Sequence, residues 1–222
     1  MCIRDSSYVA GLIIISFHRD SEIHQTEHQH AGRPLRQILR SPEIILAITA
    51  AALGYGVMSF IMTATPISMH THAGHSLEAT KFVIQSHIAG MYLPALLYAT
   101  LFSRLGFRGM MWAGVLVYLV CLLIAAINTD FLNYWLALVL LGIGWTFLFL
   151  SGTNLLPYGY RPEEKFRVQS MNDFLVFSVQ AAVSLSSGWF LYHYQWQGLI
   201  YACIPLVLAF AVLMIVLKTK VQ

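Results

Sequence analysis

The chain has 222 residues, 58% of them hydrophobic and 10% charged, with a formal net charge of +3 and a mean hydropathy of +0.66. Soluble domains carry about 25% charged residues, so the composition excludes a water-soluble enzyme and a basic nucleic-acid-binding domain and predicts an all-α membrane protein. Three cysteines, at positions 2, 121 and 203, are too few and too scattered for a disulfide framework and read as small apolar packing residues.

In chain order, residues 7–17 (SYVAGLIIISF) are apolar but only about half as long as a membrane span requires. They read as the end of a truncated transmembrane helix occupying 1–17, with residues 1–6 non-native. A signal peptide is the competing reading, disfavoured because no Ala-x-Ala site follows and His18-Arg19-Asp20 comes at once. Residues 18–42 form a long polar connection whose histidines, His18, His24, His28 and His30, suit a solvated linker better than a metal site. Within it, 33–40 has helical spacing with Leu35, Ile38 and Leu39 on one face, which predicts a short helix lying on the membrane surface.

Residues 43–222 then contain six apolar runs long enough to cross a hydrocarbon core of about 30 Å. They cover Glu43 to Ile67, Ala79 to Phe102, Gly109 to Ile127, Phe131 to Thr153, Met171 to Leu191 and Gly198 to Leu217. Lys and Arg fall in alternate connections: Arg19, Arg33, Arg36 and Arg40; Arg104 and Arg108; Arg161, Lys165 and Arg167; Lys218 and Lys220, with only Lys81 in the intervening ones, plus Arg4 near the start. By the positive-inside rule these connections are cytoplasmic, and the C-terminus with them, which predicts a multi-pass membrane protein.

The connection between the second and third runs, ATLFSRLGFR at 99–108, keeps Leu101, Ser103, Arg104, Gly106 and Arg108 of the pattern G-x-[LIV]-x-[DS]-[RK]-x-G-R-[RK], with Ala99 and Phe107 departing from it. A glycine there permits a tight turn between helices while the cations stay at the surface. With the six runs and the basic connection before them, this resembles the C-terminal half of a major facilitator superfamily transporter, a fold of 12 helices. Such a resemblance implies a missing N-terminal six-helix half as partner in transport, besides the lipid bilayer.

Two further motifs, Met58-Ser-Phe-Ile-Met62 and His87-Ile-Ala-Gly-Met91, put pairs of side chains at i and i+4, on one stripe of each helix. An ionisable residue inside a span is costly and faces a cavity or a partner. These motifs, with YGVMSFIMTATPISMHTHAGHS at 55–76, resemble those of the CcoA-like transporters, bacterial copper importers related to riboflavin importers. The resemblance implies import of Cu(I), a soft ion suited to thioethers and imidazole, through Met58, Met62, His87 and Met91, with no prosthetic group. Met69, His70, His72 and His75 between the two spans would then be a capture site at the outer mouth. A carrier of the same fold for riboflavin or another small organic solute is the alternative, with His87 donating a hydrogen bond and aromatic rings stacking on the solute. A non-transporting membrane metal-binding protein is the third reading. No catalytic motif is present, so an enzyme is not expected. Asp173, an acid within a span, is expected to pair with Arg104 or Arg167 rather than to carry a coupling proton. Gly54, Gly56, Gly90, Gly142 and Gly144 allow close helix approach, Pro94 is expected to kink its span, and Trp145 and Gln180 are candidates to line a cavity.

Overall fold

The structure, a computed structural model, describes residues 32–217. The expected helix end at 7–17, most of the polar connection and Lys218 and Lys220 lie outside the described residues. Among the described residues the secondary structure is entirely helical.

A short helix, α1 (Leu35–Ile38), precedes α2 (Pro42–Ile67), which starts with a proline whose fixed φ suits the first helical position. A π-helical turn, Ser68–His72, extends α2. Helix α3 (Leu77–Ile127) is capped by Ser76, whose Oγ accepts the Ala79 N–H at 3.1 Å. Helix α4 (Phe131–Leu155) follows, then two 3-10 turns, and α5 (Lys165–Val216) completes the described chain. Four of these helical runs are long and apolar enough to cross a membrane.

Two of them exceed what one crossing needs. At about 1.5 Å per residue, the 51 residues of α3 and the 52 of α5 would each exceed twice the thickness of a bilayer core of about 30 Å. Each contains one residue outside helical dihedrals: Gly106 (φ 64°, ψ −175°) in α3 and Gln195 (φ 57°, ψ −176°) in α5. The contact register shows that the chain doubles back at both. Along 77–105 (α3a), His87, Met91 and Tyr98 meet Leu138, Gly142 and Ser151 of α4, so the two run parallel. Along 107–127 (α3b), Gly114, Tyr118 and Cys121 meet Leu148, Gly144 and Ala137, so these run antiparallel. Residues 165–194 (α5a) run parallel to α2, with Phe177 against Tyr55 and Phe190 against Phe60. Residues 196–216 (α5b) run antiparallel to α3b, since Trp196 Nε1 donates to the Ala125 carbonyl at 2.9 Å and Arg108 to the Met214 carbonyl.

Helix α4 is the hub. It packs along α3a and α3b, and antiparallel to α2, where a methyl added at Gly152 would lie 2.6 Å from the Ala47 carbonyl and where Tyr134 and Ser68 hydroxyls are 2.6 Å apart. Helices α2 and α3a, consecutive in sequence, meet α4 far more than they meet each other. Between apolar helices in lipid there is no hydrophobic drive, so close backbone approach through small residues supplies the attraction. Gly90 and Gly142 provide it here: a methyl at Gly90 would stand 2.7 Å from the Val139 carbonyl, and one at Gly142 2.7 Å from that of His87.

Helix α3a keeps helical dihedrals through Pro94, and the residue of α3 outside them is Gly106. Two sequence expectations change. Helix α1 has four residues, and its Ile38 is fully buried in protein rather than laid on the membrane surface. The fifth run begins well before Met171, at Lys165.

At the end bearing the basic residues, Arg33 is bound to Glu164, just before α5. Its Nε donates to Oε1 at 2.9 Å and its Nη2 to Oε2 at 2.7 Å, a two-pronged pair, while its backbone N–H also donates to Oε1. The Arg161 N–H donates to Oε2 and Arg33 Nη2 to the Gly159 carbonyl. Hydrogen bonds from the Arg33 guanidinium, with those from two backbone N–H groups, hold the Glu164 carboxyl at a pKa of about 2, although its burial works in the opposite direction.

Candidate functional site

His87 is fully buried on α3a, and its Nδ1–H donates to the Leu138 carbonyl of α4 at 2.7 Å. A carbonyl only accepts, so the proton sits on Nδ1, and the neutral ring presents a bare lone pair at Nε2. No group among the described residues bonds that atom. The expected hydrogen-bond donor is thus, in its neutral form, an acceptor or ligand at its free nitrogen. Met91, one turn on, is half-buried, and its carbonyl accepts from Thr146 Oγ1 of α4.

Met58 is buried and Met62 half-buried on α2. Their helix and that of His87 and Met91 are each laid on α4, so the two pairs, adjacent in sequence, belong to helices that are not principal packing partners. Among the described residues no group of three or more His, Cys, Asp or Glu side chains is placed to hold a metal ion.

The expected capture set separates as well. Met69 is fully buried, while His70 and His72 are exposed. The His70 ring Nδ1 bonds the His75 carbonyl at 2.9 Å, and His75 Nε2 bonds the Thr129 carbonyl at 2.9 Å, with its ring edge-on to Tyr134. His75 therefore ties the turn after α2 to the turn before α4. A buried thioether cannot serve an exposed capture site, so Met69 leaves that set.

In the basic connection, Gly106 occupies the reversal, where its positive φ is a conformation that L side chains rarely adopt. Ser103 Oγ donates to the Thr100 carbonyl at 2.8 Å. Arg108 reaches the end of α5b, donating to the Leu217 carbonyl at 2.6 Å and to Met214, and so satisfies carbonyls that a helix end leaves unpaired. Arg104 is exposed beside it. Asp173 is exposed, and its carboxylate accepts from the Asn172 amide at 3.0 Å. Among the described residues it forms no ion pair, so the expected pairing with Arg104 or Arg167 is not made.

A second set of residues stands out, of which the sequence reading singled out only Trp145. Tyr55 of α2, Trp145 and Phe149 of α4 and Phe177 of α5a form one aromatic cluster near the middle of their helices. The Trp145 and Phe149 rings lie nearly parallel, 5.1 Å apart at 11°, and Tyr55 stands edge-on to both at 5.3 and 4.9 Å. Phe177 is 5.7 Å from Tyr55 and half exposed. The i, i+4 spacing of Trp145 and Phe149 was the available signal. Nearby, a cavity of about 580 Å³ opens between α2, α5a and α5b. Its lining is almost wholly apolar, including Leu53, Val57, Phe60 and Phe190, with Thr49 and Ser186 among its few polar groups. Gln180 is half-buried and does not line it.

No protein-family model matches the sequence. The chain is homologous to transporters. It is 34% identical over 189 residues to the riboflavin transporter RfnT of Brucella anthropi, a match covering 85% of this chain and 47% of that protein. It is 33% identical over 198 residues to YddS of Bacillus subtilis, an uncharacterized MFS-type transporter, covering 83% of this chain and 45% of that one. A second Bacillus subtilis protein, the uncharacterized MFS-type transporter YdeG, is 37% identical over 147 residues, 65% of this chain and 34% of that one. The chain spans about half the length of the first two relatives.

Proposed function

We propose that this chain, homologous over most of its length to MFS-type transporters, is the C-terminal half of a carrier for a small organic solute, with riboflavin the leading candidate. The observation that carries the reading is 34% identity across 85% of the chain to a protein named as a riboflavin transporter. The architecture fits it: six antiparallel helical segments joined at alternate ends would be six crossings of a 12-helix fold. The ends rich in Arg and Lys would face the cytoplasm, as would the C-terminus, in a bacterial inner membrane.

In such a carrier the solute site lies near the midplane between two six-helix halves, and one half rocks against the other. The half would move as a body because α4 binds α2, α3a and α3b together. His87 contributes by fixing α3a to α4 through Leu138, and its free Nε2 can accept a hydrogen bond from a solute. The copper path expected through Met58, Met62, His87 and Met91 is set aside as the main reading. The relative with a named cargo carries a flavin, and the helices bearing the two ligand pairs pack on α4 rather than on each other.

The test is uptake by the complete gene in a riboflavin auxotroph and in a copper-starved strain. Growth rescue at low riboflavin supports the proposal. Copper accumulation that His87→Ala combined with Met58→Ala abolishes, without any riboflavin entry, overturns it and restores the metal path.

A further inference from the structure

We propose that Tyr55, Trp145, Phe149 and Phe177 form a ring-binding subsite for a planar heteroaromatic solute, with the Trp145 Nε1–H donating to a carbonyl or ring nitrogen of that solute. The inference rests on the reading of the chain as an organic-solute carrier and adds the residues that select its cargo.

Three helices contribute to the cluster, and each does so near its own middle, which is where a rocking carrier holds its solute. Tyr55 lies midway along Pro42–Ile67, Trp145 and Phe149 in the central part of Phe131–Leu155, and Phe177 near the centre of 165–194. Buried rings also pack elsewhere in this molecule, as Tyr118 and Tyr134 do, but this cluster draws on three separate helices at mid-membrane depth and keeps one ring, Phe177, half exposed. Trp145 and Phe149 form a flat stacked pair, and Phe177 remains half exposed beside Tyr55, so the cluster is open on one side.

The second observation is the indole N–H. Trp145 is 7% exposed, and its Nε1 is buried with no acceptor among the described residues. Indole N–H groups normally find a partner when buried, and leaving one unmade is costly. Lipid tails supply no acceptor. Two other buried nitrogens, Trp135 Nε1 and His87 Nε2, also lack partners. Trp135 sits near the start of α4 and His87 on α3a, and neither ring takes part in the cluster, so of these three nitrogens Trp145 alone lies beside the stacked rings. A flat ring carrying in-plane carbonyls and ring nitrogens, as a flavin does, meets both features. Aromatic carbon and an N–H donor give Cu(I) no ligand.

The experiment uses the purified full-length carrier in detergent, titrated with riboflavin and, separately, with guanosine as a planar heteroaromatic that is not a flavin. Trp145→Phe keeps a ring and removes the donor, and Phe177→Leu removes an exposed ring where folding depends on it least. Each is expected to weaken binding of the bound solute about 2–10-fold, the effect of one neutral hydrogen bond or one aromatic contact. Trp189→Phe, an exposed ring outside the cluster, should bind like wild type. If riboflavin binds and neither cluster variant weakens it, the subsite is overturned while the flavin reading stands. If the wild type ignores riboflavin but binds guanosine in a manner dependent on Trp145 and Phe177, the subsite stands and the flavin reading falls. Binding of neither solute overturns the subsite.

Discussion

Replacing Gly142 by alanine tests whether α4 holds α3a by direct backbone contact. The added methyl carbon would stand 2.7 Å from the His87 carbonyl oxygen, 2.8 Å from the Met91 nitrogen and 2.9 Å from the Gly90 carbonyl carbon. Carbon contacts settle at about 3.5–4.0 Å, so the helices must part by roughly 1 Å. All three obstacles are main chain, and no rotamer change relieves them. Overpacking of this kind costs about 1–3 kcal/mol, and parting the helices stretches the buried His87–Leu138 hydrogen bond, worth about 1 kcal/mol more. The total is about 2–4 kcal/mol, which at ~2–4 °C per kcal/mol lowers Tm by about 4–16 °C. The assay is thermal unfolding of the full-length protein in detergent. Gly188→Ala is the matched control, because nothing lies within 4 Å of its added carbon and alanine is the better helix former. If Gly142→Ala melts with wild type, or if both variants shift alike, the close-contact account of this helix pair is wrong.

The remaining predictions concern the helix ends and His87. Glu164→Gln should lower stability by about 1.5–3 kcal/mol, the range for a hydrogen bond to a charged group, since Arg33 loses its two-pronged partner. Because the Glu164 carboxyl is held at about 2 against an ordinary 4.5, its contribution is complete above pH 4.5 and is lost as pH falls towards 2. The gap between wild type and Glu164→Gln should therefore narrow between pH 6 and 3, and a constant gap would refute the linkage. Gln195→Gly should raise stability by about 1 kcal/mol, because the present dihedrals suit glycine almost exclusively; an unchanged or lower melting temperature would show that the turn is held by other means. His87→Phe keeps the bulk but removes the donor to the Leu138 carbonyl, with an expected loss of about 0.5–1.5 kcal/mol, whereas His87→Asn should recover part of it. Equal melting of the two variants would show that this hydrogen bond does not hold α3a.

The helices and their turns were legible in the sequence because a bilayer demands long apolar runs and punctuates them with polar residues. Gly106 could be placed at a reversal since glycine is cheap at positive φ. Gln195 could not: the expected runs stop at Leu191 and resume at Gly198, and nothing in the residue types between them announces a positive φ at a glutamine. Packing partners were less accessible. In a soluble protein the apolar stripe of a helix reveals its inner face, but helices bathed in lipid are apolar all round. Adjacency in sequence then became the guide, and it paired Met58 and Met62 with His87 and Met91 across two helices that mainly pack on a third. The acceptor for His87 is a main-chain carbonyl, which every residue possesses and no residue type announces. The aromatic cluster was missed for a related reason: Tyr55, Trp145 and Phe177 lie on three helices, and only their assembly gives the spacing a meaning.

The central place of α4 bears on how the protein is made. Synthesis delivers α2, α3a and α3b to the membrane before the helix that joins them, so for the time it takes to translate residues 128–155 these segments are inserted but unassembled. Gly90 and the buried imidazole of His87 then face lipid or a chaperone instead of Val139 and Leu138. Quality control that recognises polar groups in the bilayer has its target during that interval, and chains released before α4 is complete should be degraded rapidly in a pulse-chase experiment, while chains ending after residue 155 persist.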